Sequence, residues 1–137
     1  MNRFTKIGKD GAKLDDGANE WVAVLDNTTG LIWDAGETEE LNFAAAQSHA
    51  NGSEVAGFKD WRLPTVEELF MLADRTKFEP AIDKGFFPNC HNDWYWTGTV
   101  VAKYPADCAW LVDFDDGGAD WGAQNDGYRV RAVRASQ

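Results

Sequence analysis

The stretch Gly57, Phe58, Lys59, Asp60, Trp61, Arg62, Leu63, Pro64, Thr65, Val66, Glu67, Glu68, Leu69 decides how the rest of the chain is read, because it is a stiff loop that opens directly into a helix. Thr65 with Glu68 three residues on has the capping-box pattern, in which each side chain takes a backbone N–H that the first helical turn leaves unpaired. Val66, Leu69, Phe70 and Ala73 follow at helical spacing with Leu72 beside them, so one face of this helix must be buried. Trp61 reads as an indole to bury, and Arg62 as a fork that pins loop carbonyls or a carboxylate. The helix is expected to end near Asp74, ahead of Pro80 and an irregular run to Pro88.

Upstream, Phe4 and Ile7 suggest a short strand, and Asp10 to Asn19 a turn-rich connection. Trp21 to Leu25 and Leu31 to Trp33 flank the turn residues Asp26, Asn27, Thr28, Thr29 and Gly30, which reads as a hairpin; apolar residues on both of its faces make it central. Leu41, Phe43, Ala44, Ala45 and Ala46 favour a helix over Glu39 to His49, with Thr38 as its cap and Asn51, Gly52 as its end. Beyond Pro88 three strands are expected, Trp94 to Val101, Cys108 to Phe114 and Tyr128 to Val133. The last puts Tyr128, Val130 and Ala132 on one face and Arg129 and Arg131 on the other, the alternation of a half-buried strand. Strands, two helices, then strands give an α+β class with a mostly antiparallel sheet and long loops.

With 137 residues and 44% hydrophobic content, the chain fits one domain, 1–137, with a core of its own. Seven Trp and eight Phe supply packing that regular elements otherwise provide, and Trp33, Trp61, Trp96 and Trp110 are expected to be largely buried. A formal charge of −10 excludes duplex binding by phosphate neutralisation, so nucleic acid is not an expected partner. Met1 to Lys13 has no apolar run and reads as neither secretory signal nor membrane anchor; a soluble chain is expected, whether cytoplasmic, phage-borne or trimmed of a leader. Cys90 and Cys108 cannot build a disulfide framework: they pair, for about 3 kcal/mol in an oxidising compartment, or stay free.

Taken in order, these motifs resemble the Lcl C-terminal domain family, related to C-type-lectin-like folds. The resemblance rests on Asp26, Asn27, Thr28, Thr29, Gly30, Leu31, Ile32, Trp33; on Asp60 to Pro64 followed by Thr65 to Leu69; on Pro80 to Asp83, Phe87, Pro88, Tyr95 and Trp96; on Ala109, Trp110, Val112, Asp113, Phe114; and on Tyr128, Val130, Arg131, Val133, Arg134. It implies two helices against twisted, mostly antiparallel strands, with irregular loops displayed on one side. Some relatives are variable proteins of diversity-generating retroelements, in which surface positions near the carboxy terminus vary on a fixed framework. The matching binding candidates here are Tyr104, Asp107, Asp115, Asp116, Gly118, Asp120, Trp121, Ala123, Asn125 and Asp126, among framework residues Trp110, Val112, Phe114 and Tyr128. The segment is acidic where many relatives are rich in asparagine and serine.

No catalytic residue, metal or cofactor is expected. Asp113, Asp115, Asp116 and Asp120 offer oxygen ligands near one turn, but their spacing fits no EF-hand loop, and the calcium signatures of sugar-binding lectins are missing. Cys90 and Cys108 are too far apart to match the close pair of formylglycine-generating oxidases, and His49 and His91 belong to no acid/base or metal pattern. The leading expectation is a noncatalytic module whose loop from Asp115 to Gly127 meets a protein or glycan through Trp121, Tyr104 and flanking acids. Replacing Asp116, Asp120, Trp121 and Asn125 should then weaken binding with stability nearly intact. An oxidase-like enzyme is the alternative, and an acidic inhibitor of a basic site a further one.

Overall fold

The computed structural model describes residues 3–135. Two antiparallel sheets and two helices form the domain. The first sheet runs in the order β1 (Phe4–Ile7), β2 (Ala23–Asp26), β3 (Leu31–Asp34), β7 (Val133–Ala135), and the second in the order β4 (Trp94–Val100), β5 (Cys108–Asp113), β6 (Ala119–Ala123). Between them in sequence lie α1 (Phe43–Asn51), a 3-10 turn (Val55–Gly57) and α2 (Val66–Leu72). The α+β class read from the sequence is present.

The hairpin of β2 and β3 is central because both of its faces are covered. Ala23, Leu25 and Ile32 enter one apolar cluster with Trp61, Trp96 and Leu111, while Val24 and Trp33 enter the other with Leu69, Leu72, Tyr95, Val112 and Phe114. Period-two alternation turns successive side chains to opposite faces, so one strand feeds both clusters. Its turn closes as the sequence implies: Asp26 accepts from Thr28 N–H through a carboxylate oxygen and from Gly30 N–H through its carbonyl.

The Thr65 entry is a full capping box. Thr65 Oγ1 accepts from Glu68 N–H at 3.1 Å, and Glu68 Oε1 accepts from Thr65 N–H at 2.8 Å. The Arg62 fork grips the same carboxylate at 2.7 and 2.9 Å and also donates to the Leu63 carbonyl, so the loop and the helix start are one hydrogen-bonded unit. Trp61 is buried and donates to the Val55 carbonyl.

Three expectations are corrected. The first helix begins later: Asn42 caps α1 by accepting from Ala45 N–H at 2.9 Å, and Thr38 is no cap. The backbone at Thr38 and Leu41 is already committed to Val130 and Tyr128, which prevents it from coiling. The segment Tyr128 to Ala132 is extended but is not a regular strand; it bonds Leu41 on one side and Trp94 and Trp96 on the other before joining β7, tying the two sheets together. Its arginine face is not solvated, since Arg131 is 1% exposed. Finally, Trp33, Trp61 and Trp96 are buried but Trp110 is only half-buried, for the reason that follows.

Candidate functional site

The second sheet has unequal faces. On one, Trp96, Ala109 and Leu111 pack under Phe43 and Ala46 of α1. On the other, Leu69 and Leu72 of α2 cover Tyr95 and Val112. The register then decides what is left open: Trp110 stands opposite Trp121, next to Val112 opposite Ala119 and Cys108 opposite Ala123. By alternation these pairs share the face of Val112, but Trp110 and Trp121 lie on the part that α2 leaves uncovered.

Trp110 and Trp121 form a non-hydrogen-bonded cross-strand pair, because the Trp110 carbonyl points toward β4 and accepts from Thr97 Oγ1 at 2.8 Å. Side chains are closest in such pairs. The two indoles meet edge to face with centroids 5.4 Å apart, and Tyr104 adds a third ring 6.4 Å from Trp121. Trp121 nevertheless remains 45% exposed and Tyr104 43%. The result is an aromatic ladder open to solvent on a paired sheet.

Its supports are local. Tyr104 sits in the β4–β5 turn, where its carbonyl accepts from Asp107 and Cys108 N–H. Gln124 fastens that turn to the end of β6, donating from Nε2 to the carbonyls of Pro105 and Cys108 and from N–H to the Asp107 carbonyl. Beneath β6, Gly122 lies on Tyr128 and Leu111 so closely that a Cβ would come within 2.8 Å of the Tyr128 ring. On the outer edge, the Trp121 N–H is taken at 2.8 Å by the Asp120 carboxylate.

The expected loop from Asp115 to Gly127 is therefore a turn, the edge strand β6, and a second turn. Tyr104, Asp107, Trp121 and Ala123 come together at the Gln124 end. Asp115, Asp116 and Gly118 lie at the opposite end of the β5–β6 hairpin; β6 between the two ends spans roughly 17 Å for five extended residues, with Trp121 at its middle. There Arg75, stacked 3.4 Å over Phe70, fills the space above Gly117. Asp120 is on the reverse face of β6 from Trp121; together with Asp126 it acts on Tyr128, whose hydroxyl is pushed up first by burial and then by Asp126. Asn125 and Asp126 are exposed in the last turn.

The acids of the β5–β6 turn are occupied with the turn itself: Asp113 accepts from Asp115 N–H and Asp116 from Gly118 N–H. Burial raises the Asp113 carboxyl, and its neighbours Asp116, Asp115 and Asp93 add to the rise against the pull of the Asp115 N–H. Among the described residues no group of three or more His, Cys, Asp or Glu is placed to hold a metal. Cys90 and Cys108 are both free. The Cys90 thiol is buried beside the Tyr95 hydroxyl, and burial pushes its pKa up, away from the thiolate a nucleophile needs.

A second polar cluster joins residues that carry no local signal in the sequence. Glu37 accepts from Arg131 Nη2 at 2.7 Å and from the Tyr95 hydroxyl at 2.6 Å, with His91 Nδ1 also at 2.6 Å. Arg131 donates further to the carbonyls of Asp34 and Gly36 and lies over the Phe87 ring. This cluster fastens the Asp34 to Thr38 loop to the chain's last segment.

The geometry defines an α+β domain of two antiparallel sheets that displays an aromatic ladder on one of them. The chain belongs to the Lcl C-terminal domain family, whose model matches residues 22–134. The match spans every element from β2 to β7 apart from the last residue, so the ladder and its supports lie within it. No curated protein is similar enough to the chain to carry an argument.

Proposed function

We propose that this chain is a noncatalytic recognition module on a lectin-like scaffold, and that its contact face is the ladder of Trp110, Trp121 and Tyr104. The observation that carries the reading is Trp121: a large indole left 45% exposed while two neighbouring rings fix its orientation. Rigid aromatic side chains lose little conformational entropy on binding and supply large contact area, which is why they dominate binding hot spots. Asp107 and Asp126 at the same end of the hairpin suit a protein or glycan that brings hydrogen-bond donors or positive charge. The oxidase-like alternative has less support, since Cys90 is a buried, unactivated thiol.

The test is a selection with a built-in control. Ligands are selected from a displayed peptide library and a glycan array against the chain, then rebound to Trp121→Ala and to the distant Asp116→Ala. Affinity should fall at least about tenfold for Trp121→Ala, as for an aromatic anchor. Ligands that bind Trp121→Ala undiminished place the contact elsewhere and overturn the reading.

A further inference from the structure

Between the chain preceding β2 and the end of β3 at Asp34 to Gly36 lies a cleft of about 920 Å³. That is at the upper end of the roughly 300–1,000 Å³ range of small-molecule sites. Its walls are largely apolar, with Leu14, Trp21, Val22, Ala35, Val55 and Pro88 among them. They are also held firmly. Lys6 Nζ donates to the carbonyls of Asp16 and Ala18 at 2.6 and 2.8 Å and sits 3.9 Å over the Trp21 ring, while Trp21 Nε1 donates to the Phe86 carbonyl. Leu14 and Val22 are bonded through their N–H groups to the strand β1 at Lys6 and Ile7, and Ala35 to Val22.

Asp34 is the half-buried charge in this cleft. One carboxylate oxygen accepts from Gly36 N–H at 2.8 Å, and among the described residues no side-chain or backbone donor reaches the other. Arg131 donates to the Asp34 carbonyl and pairs with Glu37, not with the Asp34 carboxylate. The remaining charges of the lining are the acids Asp10 and Glu20 against the single cation Lys9. Burial raises the Asp34 carboxyl, the Gly36 N–H and the charges of Arg131 and His49 only partly offsetting it. A partly desolvated carboxylate with no cation in contact is costly, and a cation that brings its own apolar body relieves that cost while filling the cleft.

We propose that the cleft binds an organic cation, an ammonium or guanidinium carried on an apolar stem, with the head group on Asp34 and the stem against Trp21 and Leu14. This site is separate from the aromatic ladder on the second sheet, and neither proposal depends on the other. The head group can come from a free amine or from a lysine or arginine side chain of a polypeptide.

The experiment is a titration of the isotope-labelled chain, followed through backbone amide resonances, with phenethylamine, with uncharged 2-phenylethanol, and with N-acetyl-lysine methylamide. Phenethylamine should shift Val22, Ala35 and Gly36 saturably, and 2-phenylethanol should bind at least about tenfold more weakly, the loss expected for one charged partner. Asp34→Asn keeps an acceptor for Gly36 N–H while removing the charge, and should weaken phenethylamine by a similar factor. Saturable shifts with the lysine derivative assign the head group to a polypeptide side chain, and their absence beside a phenethylamine response assigns it to a free amine. No saturable shift with either cation, or equal binding of phenethylamine and 2-phenylethanol to the unmodified chain, overturns the proposal whether or not Asp34→Asn folds.

Discussion

Replacing Arg131 with Met should be among the most damaging single changes in this domain. Arg131 is 1% exposed, its partner Glu37 carboxylate is 5% exposed, and the two meet at 2.7 Å. Methionine fills much of the volume beside Phe87 but leaves Glu37 charged and buried with only the Tyr95 hydroxyl, His91 and the more distant Arg129 facing it. It also strands the carbonyls of Asp34 and Gly36. Breaking a buried pair from one side costs about 3–5 kcal/mol. At about 2.1 cal/mol/K of unfolding entropy per residue, that corresponds for a chain of 137 residues to a Tm lower by roughly 10–17 °C. Calorimetry of Arg131→Met, Glu37→Gln and the double variant measures it. Because the double variant removes both charges, it should cost less than the sum of the single ones by at least about 1 kcal/mol. A loss below about 1 kcal/mol for Arg131→Met, or strictly additive effects, would refute the reasoning, since the two side chains would then not be a coupled buried pair.

Other expectations follow the same logic. Trp61→Ala removes a buried ring that anchors the loop feeding α2, and should cost about 3–5 kcal/mol; an unchanged urea midpoint would contradict that. Thr65→Ala removes the acceptor of Glu68 N–H and should cost about 1 kcal/mol by the same assay. Burial raises the Glu68 carboxyl, but the bonds from Arg62 and Thr65 outweigh it and hold its pKa below the ordinary 4.5. The folded-state value being depressed, this stabilisation is present above pH 4.5 and is lost as pH falls through the folded-state pKa. The gap in stability between the unmodified chain and Glu68→Gln should accordingly close in acid, and a gap independent of pH would show that the grip of Arg62 contributes nothing. Gly122→Ala forces a Cβ into Tyr128 and Leu111, and should cost about 1–3 kcal/mol while moving the Trp121 indole signals; a neutral substitution would mean that β6 is free to lift.

Much of the frame was legible because its signals are local. The capping box spans four residues, and the β2–β3 turn carries its own acceptors in Asp26, so neither needed a distant partner to be recognised. Two departures from the sequence reading depend on residues far apart in the chain. Arg131 reads as the polar face of a strand until Glu37 is found beside it, 94 positions away. Thr38 reads as a helix cap until Val130 takes its backbone. The sequence of β6 reads as loop because Ala119, Asp120 and Gly122 have weak strand preference and are held by pairing with β5. One signal was available: Asp116, Gly117 beside Val112 and Phe114 is a hairpin signature, and Gly117 has φ of 89° in the turn. A two-residue turn at Asp116 and Gly117 would set Trp121 opposite Val112, on the face that Trp110 shares; the longer turn observed, closed between Asp113 and Gly118, shifts the register so that Trp121 stands opposite Trp110. The sequence marks Trp121 and Tyr104 as contact candidates but Trp110 only as framework, and it gives Gln124, which fastens the face, no signal.

Where a ligand sits is read most directly from the footprint of a selected ligand on the labelled chain, followed through indole and backbone amide signals at saturation. Trp121 touches both Trp110 and Tyr104, so a ligand on the ladder must perturb the indole signals of Trp110 and Trp121 and the amides of Tyr104 and Gln124, while Trp33, Trp61 and Trp96 in the interior stay in place. A saturated footprint confined to the Asp115 to Gly118 turn or to the first sheet, with the Trp110 and Trp121 indoles unmoved, would contradict the account.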